Sequence, residues 1–318
     1  METTQENGAS EDDFACPVSF WGTEKMKTIA VTALKGGVGK SSVVAGLGIA
    51  LVNKGYKVGF IDLDVTGSNL YSALGQRHSP KFGLDSVNEK IVVPEVDGYW
   101  LLSIASYTGE DNAVLWESDQ HKELSQIRDI MQTADLKSLK QQIDDILASS
   151  KWRFVKELLS PDIVTWPEPL DFMIADLPPS TSHEMFSFFD QVNDLFGVFI
   201  VSQPSAISNT GLQRTIDLLR VRQIPIIGLV GNQDGFLCKH GEMEYQFLSP
   251  RVDLKEIARK AKIPFLISIP QTGKSNKLKP YFSELADKVV SSKPVVLKDI
   301  TMVKRLKRKV VKGIARRL

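Results

Sequence analysis

Residues Lys27 to Ser42 read KTIAVTALKGGVGKSS, and this stretch decides the fold. Its first part, Lys27 to Ala33, is short, apolar and β-branched, the composition of a buried strand. Three glycines, Gly36, Gly37 and Gly39, then lie between Lys35 and Lys40. Glycine lets the backbone turn tightly and approach a ligand closely. Ser41 to Lys54 has helical character and stops at Gly55, a C-cap residue. A second apolar strand follows from Lys57 to Asp62. Strand, loop, helix and strand within about 35 residues make a βαβ unit, which requires a parallel sheet covered by helices.

The loop has its own chemistry. A glycine-rich turn between a strand and a helix aims backbone N–H groups at an anion, and the helix adds the positive end of its dipole. Lys40 is spaced to reach the β- and γ-phosphates of a nucleotide, and the Ser41 hydroxyl to ligate Mg²⁺. Gly36, Gly37, Val38, Gly39, Lys40, Ser41 and Ser42 are therefore the expected phosphate cradle, with ATP and Mg²⁺ as its ligands. Leu34 stands where the usual pattern begins with glycine.

Working outward, further strands are expected at Tyr99 to Ser103, Phe172 to Asp176, Gly197 to Val201, Pro225 to Val230 and Phe265 to Ile269. Helices are expected near Ser182 to Val192 and Ser208 to Val221. The alternation predicts a doubly wound α/β domain with a mostly parallel sheet over residues 26–290. Residues 1–25 are polar, acidic and without apolar period, and read as a disordered arm. Residues 117–160 contain no glycine and read as a helical insertion, either packed on the sheet or offered to a partner. Residues 291–318 read as a linker and a basic amphipathic tail.

Composition bounds the function. The 318 residues are 42% hydrophobic and 24% charged, which argues against wholesale disorder. No apolar run is long enough to span a membrane. The N-terminus lacks the basic-then-apolar order of a secretory signal. Two cysteines, Cys16 and Cys238, exclude a disulfide scaffold and point to a reducing cytoplasm. Eight of the 39 basic residues fall between Thr301 and Leu318, where there is no acid, so the rest of the chain is net acidic. An acidic body argues against nucleic-acid binding by the body itself.

Two more motifs carry carboxylates. Asp62 and Asp64, in Asp62-Leu63-Asp64-Val65-Thr66-Gly67-Ser68, follow the second strand and so lie at the carboxyl edge of the sheet, near the phosphates. Asp62 is expected to support Mg²⁺ or its waters. Asp176 ends an apolar strand in Ile174-Ala175-Asp176-Leu177-Pro178-Pro179-Ser180-Thr181, where it can hold Mg²⁺ through water.

With Lys35, a second lysine at the start of the loop, the sequence resembles the ParA/MinD/Mrp superfamily of P-loop ATPases and their deviant Walker A motif. The resemblance covers most of residues 27–290. It implies that Lys35 reaches across an ATP-bound homodimer to the partner's nucleotide, which makes Lys35, Lys40, Asp64 and Asp176 the catalytic set. In this comparison Asp64 matches the residue that orients the attacking water. The Asp176 segment is similar to switch II, with Ser180 in place of a usual glycine. Asn232 matches the family's adenine-recognising residue, and Pro264 to Pro270 resembles the late strand whose following loop flanks the base, which adds Pro270 to the nucleotide set. The Mrp branch carries C-x-x-C just past the asparagine and holds a [4Fe–4S] cluster between two subunits. Here that region reads Asn232-Gln233-Asp234-Gly235-Phe236-Leu237-Cys238-Lys239-His240, with one cysteine. Cys238 is thus either a cluster or metal ligand at a dimer interface or a structural residue.

The tail, TMVKRLKRKVVKGIARRL, places Val303, Leu306, Val310, Ile314 and Leu318 on one helical stripe among basic residues. Such a helix binds anionic membrane surfaces, and this one resembles the C-terminal membrane helix of MinD. A solvated tail, a nucleic-acid arm and a contact with an acidic protein are the other readings. The sequence therefore predicts a cytoplasmic, Mg²⁺-dependent ATPase that dimerises with ATP and is delivered to a membrane by residues 301–318. An Mrp-type iron–sulfur carrier and a ParA-like DNA-partitioning ATPase are the alternatives.

Overall fold

The structure, a computed structural model, describes residues 26–64, 67–103, 105–108, 153–179, 182–245 and 250–298. The N-terminal arm, the basic tail, Ser180, Thr181 and residues 117–152 of the expected insertion lie outside the described residues.

The first unit forms as its sequence dictates. Strand β1 (Lys27–Thr32) runs into the glycine loop, helix α1 (Lys40–Asn53) follows, and β2 (Val58–Asp62) returns. Next come β3 (Gly83–Asp85), β4 (Lys90–Val92), β5 (Glu95–Val96), β6 (Tyr99–Ser103), β7 (Val164–Thr165) and β8 (Phe172–Asp176). After β8 come α2 (His183–Gln191), β9 (Leu195–Ser202), α3 (Ala206–Val221), β10 (Ile226–Leu237) and β11 (Met243–Glu244). Helix α4 (Leu254–Ala261), β12 (Phe265–Thr272) and α5 (Lys279–Val290) follow, and single helical turns lie at Leu70–Ala73, Ala105–Thr108 and Ser275–Leu278.

The main sheet has the order β11-β10-β9-β1-β8-β2-β6-β5, with β12 paired to β10. Its pairs from β10 through β6 are all parallel, as is β10 with β12, and β5 and β11 are antiparallel additions. The chain passes from β1 to β2 by a crossover that leaves one strand position between them, and β8 later fills it. In register, Asp176 sits beside Val31 of β1 and beside Asp62 of β2. The topology thereby brings the loop after β1 and two acidic strand ends to one edge of the sheet.

Strands covered on both faces become continuous apolar runs, and β2, β6 and β8 are buried at every residue. Side chains alternate between two cores. Ile29, Phe60 and Ile174 pack with Val44, Leu47 and Leu51 of α1 and Leu285 of α5. Ala30, Ile61 and Met173 pack with Phe188 of α2, Leu212 and Ile216 of α3 and Ala258 of α4. Ser182, Ser205 and Asp253 cap α2, α3 and α4 by accepting from the N–H of Met185, Ser208 and Glu256, the usual cure for unpaired first-turn donors.

The doubly wound α/β reading holds, and the expected elements form with ends moved by a few residues. β9 and β10 run longer than expected, to Ser202 and Leu237. Of the expected insertion, residues 153–158 are helical, and Val155 and Leu158 join the core. The sequence reading missed α4, α5 and a separate three-stranded sheet ordered β3-β4-β7.

Glycine in a helix interior is unfavourable by about 1 kcal/mol, yet α1 contains two. A β-carbon at Gly48 would collide with the Phe60 ring, and one at Gly46 with the Phe282 ring. Their absence lets α1 lie close to both the sheet and α5. Gly48→Ala is expected to lower stability by about 1–3 kcal/mol through overpacking, read as a shifted urea midpoint. An unchanged midpoint would refute this packing role.

Candidate nucleotide site

The loop from Lys35 to Ser42 lines a cleft of about 220 Å³, together with Asp64, Gly67, Asn69 and Pro179. Gly37 and Gly39 have φ of +76° and +79°, the left-handed region that favours glycine. No side chain caps α1, so its first-turn N–H groups remain donors for an anion.

At the floor, Lys40 Nζ donates to Asp176 Oδ1 at 2.5 Å, with both side chains buried. The carboxyl of Asp176 is nevertheless raised above its usual range, because burial outweighs the favourable charge of Lys40 and the Ser41 hydroxyl. Its other oxygen, Oδ2, is buried without a hydrogen-bond partner. An orphaned carboxylate oxygen beside a serine hydroxyl fits a hydrated divalent cation. Ser41 and Asp176 are the residues that would hold Mg²⁺.

Asp62 is used differently. Its Oδ1 accepts from the N–H of Asp64 at 3.1 Å, and its Oδ2 accepts from Leu70 N–H at 3.1 Å and from the Ser68 hydroxyl at 2.7 Å. The Ser103 hydroxyl lies 3.5 Å from the same oxygen. Asp62 thus holds Asp64, Ser68 and Leu70 and does not line the cleft, where the sequence placed it as a magnesium support. Burial first, and the adjacent Asp176 second, push its carboxyl up to about 7. Asp64, half-buried, lines the cleft.

Lys35, expected to reach a partner, donates to Ser208 Oγ of its own α3 at 3.3 Å. Asn232 is buried on β10 and donates to the Val38 carbonyl at 2.8 Å. Pro270 is buried within β12. Neither Asn232 nor Pro270 lines the cleft. Cys238 is buried, with its carbonyl accepting from Lys277 Nζ at 3.1 Å. Gln203, Gln233, Ser103 and Ser208 also serve the site and were missed by sequence reading. They match no phosphate motif, and a polar residue just past the end of a buried strand was the signal available for Gln203.

A family model described as ParA, NUBPL iron-transfer P-loop NTPase, matches residues 24–146 and 147–312. The chain belongs to this family. Among curated relatives, the iron–sulfur cluster carrier protein of Aquifex aeolicus is 27% identical over 85% of this chain, and the match spans 61% of that relative's own length. The cytosolic Fe-S cluster assembly factor NUBP2 of Homo sapiens is 27% identical over 76% of this chain and 78% of its own. An Archaeoglobus fulgidus nucleotide-binding protein solved with ADP superposes with a TM-score of 0.57 at 24% identity, covering 84% of this chain and 92% of that one. The Pyrococcus furiosus cell-division ATPase MinD does so with 0.52 at 18% identity, covering 83% and 98%. The structural likenesses bear on the fold. The superfamily reading holds, as does the P-loop NTPase fold.

These relatives correct the functional expectation. The sequence reading favoured membrane positioning through the tail, but the family is described by iron transfer and the named relatives are iron–sulfur carriers and assembly factors. The likeness to MinD shows the fold alone. Among the described residues no helix is long and apolar enough to cross a membrane.

The raised Asp62 carboxyl has a measurable consequence. It ionises near 3.8 when unfolded but near 7 in the fold. Its ionisation therefore lowers stability progressively as pH rises between those values, and fully above them. The melting temperature of Asp62→Asn minus that of the parent is expected to rise from about pH 5 to about pH 8. A difference that stays flat by calorimetry would exclude the shift.

Proposed function

We propose that this chain is a magnesium-dependent ATPase serving iron–sulfur cluster carriage or assembly. The observation that carries the nucleotide half is the buried Lys40–Asp176 pair, with Ser41 beside it, beneath a glycine loop. The cluster half is supported by what the relatives are named for.

The residues divide the work by charge. Lys40 turns from Asp176 to the β- and γ-phosphate oxygens, and Asp176 and Ser41 are then the residues that would hold Mg²⁺. Mg²⁺, when bound, offsets charge on the phosphate oxygens. Asp64, at the cleft wall, holds the attacking water in line. Two copies of the chain are expected to close over the nucleotides, with each Lys35 leaving Ser208 for its partner's phosphates, where an added cation stabilises transition-state charge.

A cluster would be this chain's cargo rather than its resident cofactor. Among the described residues no group of three or more His, Cys, Asp or Glu is placed to hold a metal, whereas a resident cluster takes about four ligands. Cys238, buried at the base of an exposed turn that Lys277 braces, is the cysteine this chain would turn outward to such a cargo, and the remaining ligands come from a second chain or the acceptor.

Reconstituted anaerobically with ferrous iron and sulfide, the protein is expected to gain cluster absorbance and to pass it to an apo-acceptor faster with Mg-ATP. Lys40→Ala is expected to abolish hydrolysis and that acceleration. Hydrolysis without cluster uptake would overturn the cluster half. Absence of Mg-ATP binding by calorimetry would overturn the whole.

A further inference from the structure

The phosphate loop is gripped from behind by side-chain amides. Gln203 Nε2 donates to the Gly37 carbonyl at 3.4 Å. Asn232 Nδ2 donates to the Val38 carbonyl at 2.8 Å and lies 3.4 Å from that of Gly39. Three consecutive carbonyls are thus held by two residues far away in sequence. The two come from adjacent parallel strands. Ser202 of β9 pairs with Gly231 of β10, so the residue after each, Gln203 and Asn232, projects from the same level of the sheet edge.

The amides are themselves held. Gln203 Nε2 also donates to Gln233 Oε1, and Gln203 Oε1 accepts from the Ser208 hydroxyl at 3.5 Å. Gln233 sits at φ +56°, an uncommon conformation for a residue with a side chain. At Gly39 a β-carbon would collide with the Asn232 amide nitrogen. The glycine is therefore needed by the clamp as well as by the turn.

The geometry of a trans peptide gives this grip a purpose. A carbonyl and the N–H of the next residue point in opposite directions. Drawing the Gly37 and Val38 carbonyls toward residues that do not line the cleft turns the N–H groups of Val38 and Gly39 toward it. We propose that Gln203 and Asn232 are positioning residues that clamp the phosphate loop by its carbonyls and preset its amides for a polyphosphate. This rests on the nucleotide reading above. It also gives Asn232 a task other than reading adenine. Its amide nitrogen lies within hydrogen-bonding distance of two adjacent loop carbonyls, and its oxygen remains an acceptor.

Calorimetry with Mg-ATP, Mg-GTP and magnesium tripolyphosphate tests the assignment. Gln203→Ala and Asn232→Ala are each expected to weaken all three by a similar factor, about fivefold. Asn232→Asp keeps the volume but sets oxygen against carbonyl oxygen, and is expected to weaken them further. Asn232 is buried, so Gln203→Ala, at a half-buried position, keeps the test available if the Asn232 variants do not fold. Loss confined to ATP, with tripolyphosphate unaffected, would overturn the clamp in favour of base reading. Folded variants that bind all three as the parent does would overturn it outright, leaving the nucleotide reading intact. A parent that binds none of the three would overturn the nucleotide reading, and the clamp with it.

Discussion

Lys40 and Asp176 meet at 2.5 Å with almost no water around either, and the rest of the site is arranged about that contact. A lone charge in that position would be very costly, and a pair is tolerated only when geometry and hydrogen bonding are good. The two residues are 136 positions apart, so neither can be buried until β8 has taken its place between β1 and β2. Sheet assembly and site assembly are therefore one event. The same insertion sets Asp62 against Asp176, and the floor then holds two carboxyls for one ammonium. The excess shows in Asp62, held up to about 7, and in the orphaned Oδ2 of Asp176. A divalent cation held by Ser41 and Asp176 is the species that would meet that orphaned oxygen.

Much of this was legible along the chain because it is local. The strand, loop and helix from Lys27 to Asn53 each carry their own signal: β-branched residues, glycines, a C-cap. Strands buried on both faces, such as Phe172–Asp176, were read to the residue, since an unbroken apolar run between turn residues has few other interpretations. Weakly patterned or very short elements escaped. β3, β4 and β7 have three, three and two residues, too few for a period to show. Helix α4 is strongly charged on its outer face, and its core contacts rest on a few positions such as Leu254 and Ala258.

Function was harder to read for a related reason. The basic tail offers a local pattern with a ready physical meaning, membrane contact, that the core motifs do not share. Amphipathic basic helices suit several partners, however, whereas the loop and the Asp176 strand constrain chemistry tightly. The family match runs through residue 312 and so includes most of that tail. The region past Asn232 has one cysteine, Cys238, which is half of the pair expected for an iron–sulfur carrier. A cluster that is cargo does not need a complete cage in one chain, and absence of half a motif is weak grounds for excluding a class of substrate.

The clamp on the loop shows why distant polar residues elude sequence reading and why they are amides. A lysine or arginine holding the Gly37 and Val38 carbonyls would add positive charge beside the phosphates, compete with Lys40 for them, and itself require a buried counter-ion. A serine is shorter and carries a single donor. Glutamine and asparagine are neutral, offer two N–H donors, and reach different distances, which suits one loop approached from two neighbouring strands. Being neutral, they leave the field in the cleft to Lys40, the helix terminus and the cation. Their strength as hydrogen bonds is modest, but their effect is geometric. They remove the loop's freedom before a ligand arrives, and ordering already done in folding is not charged against binding.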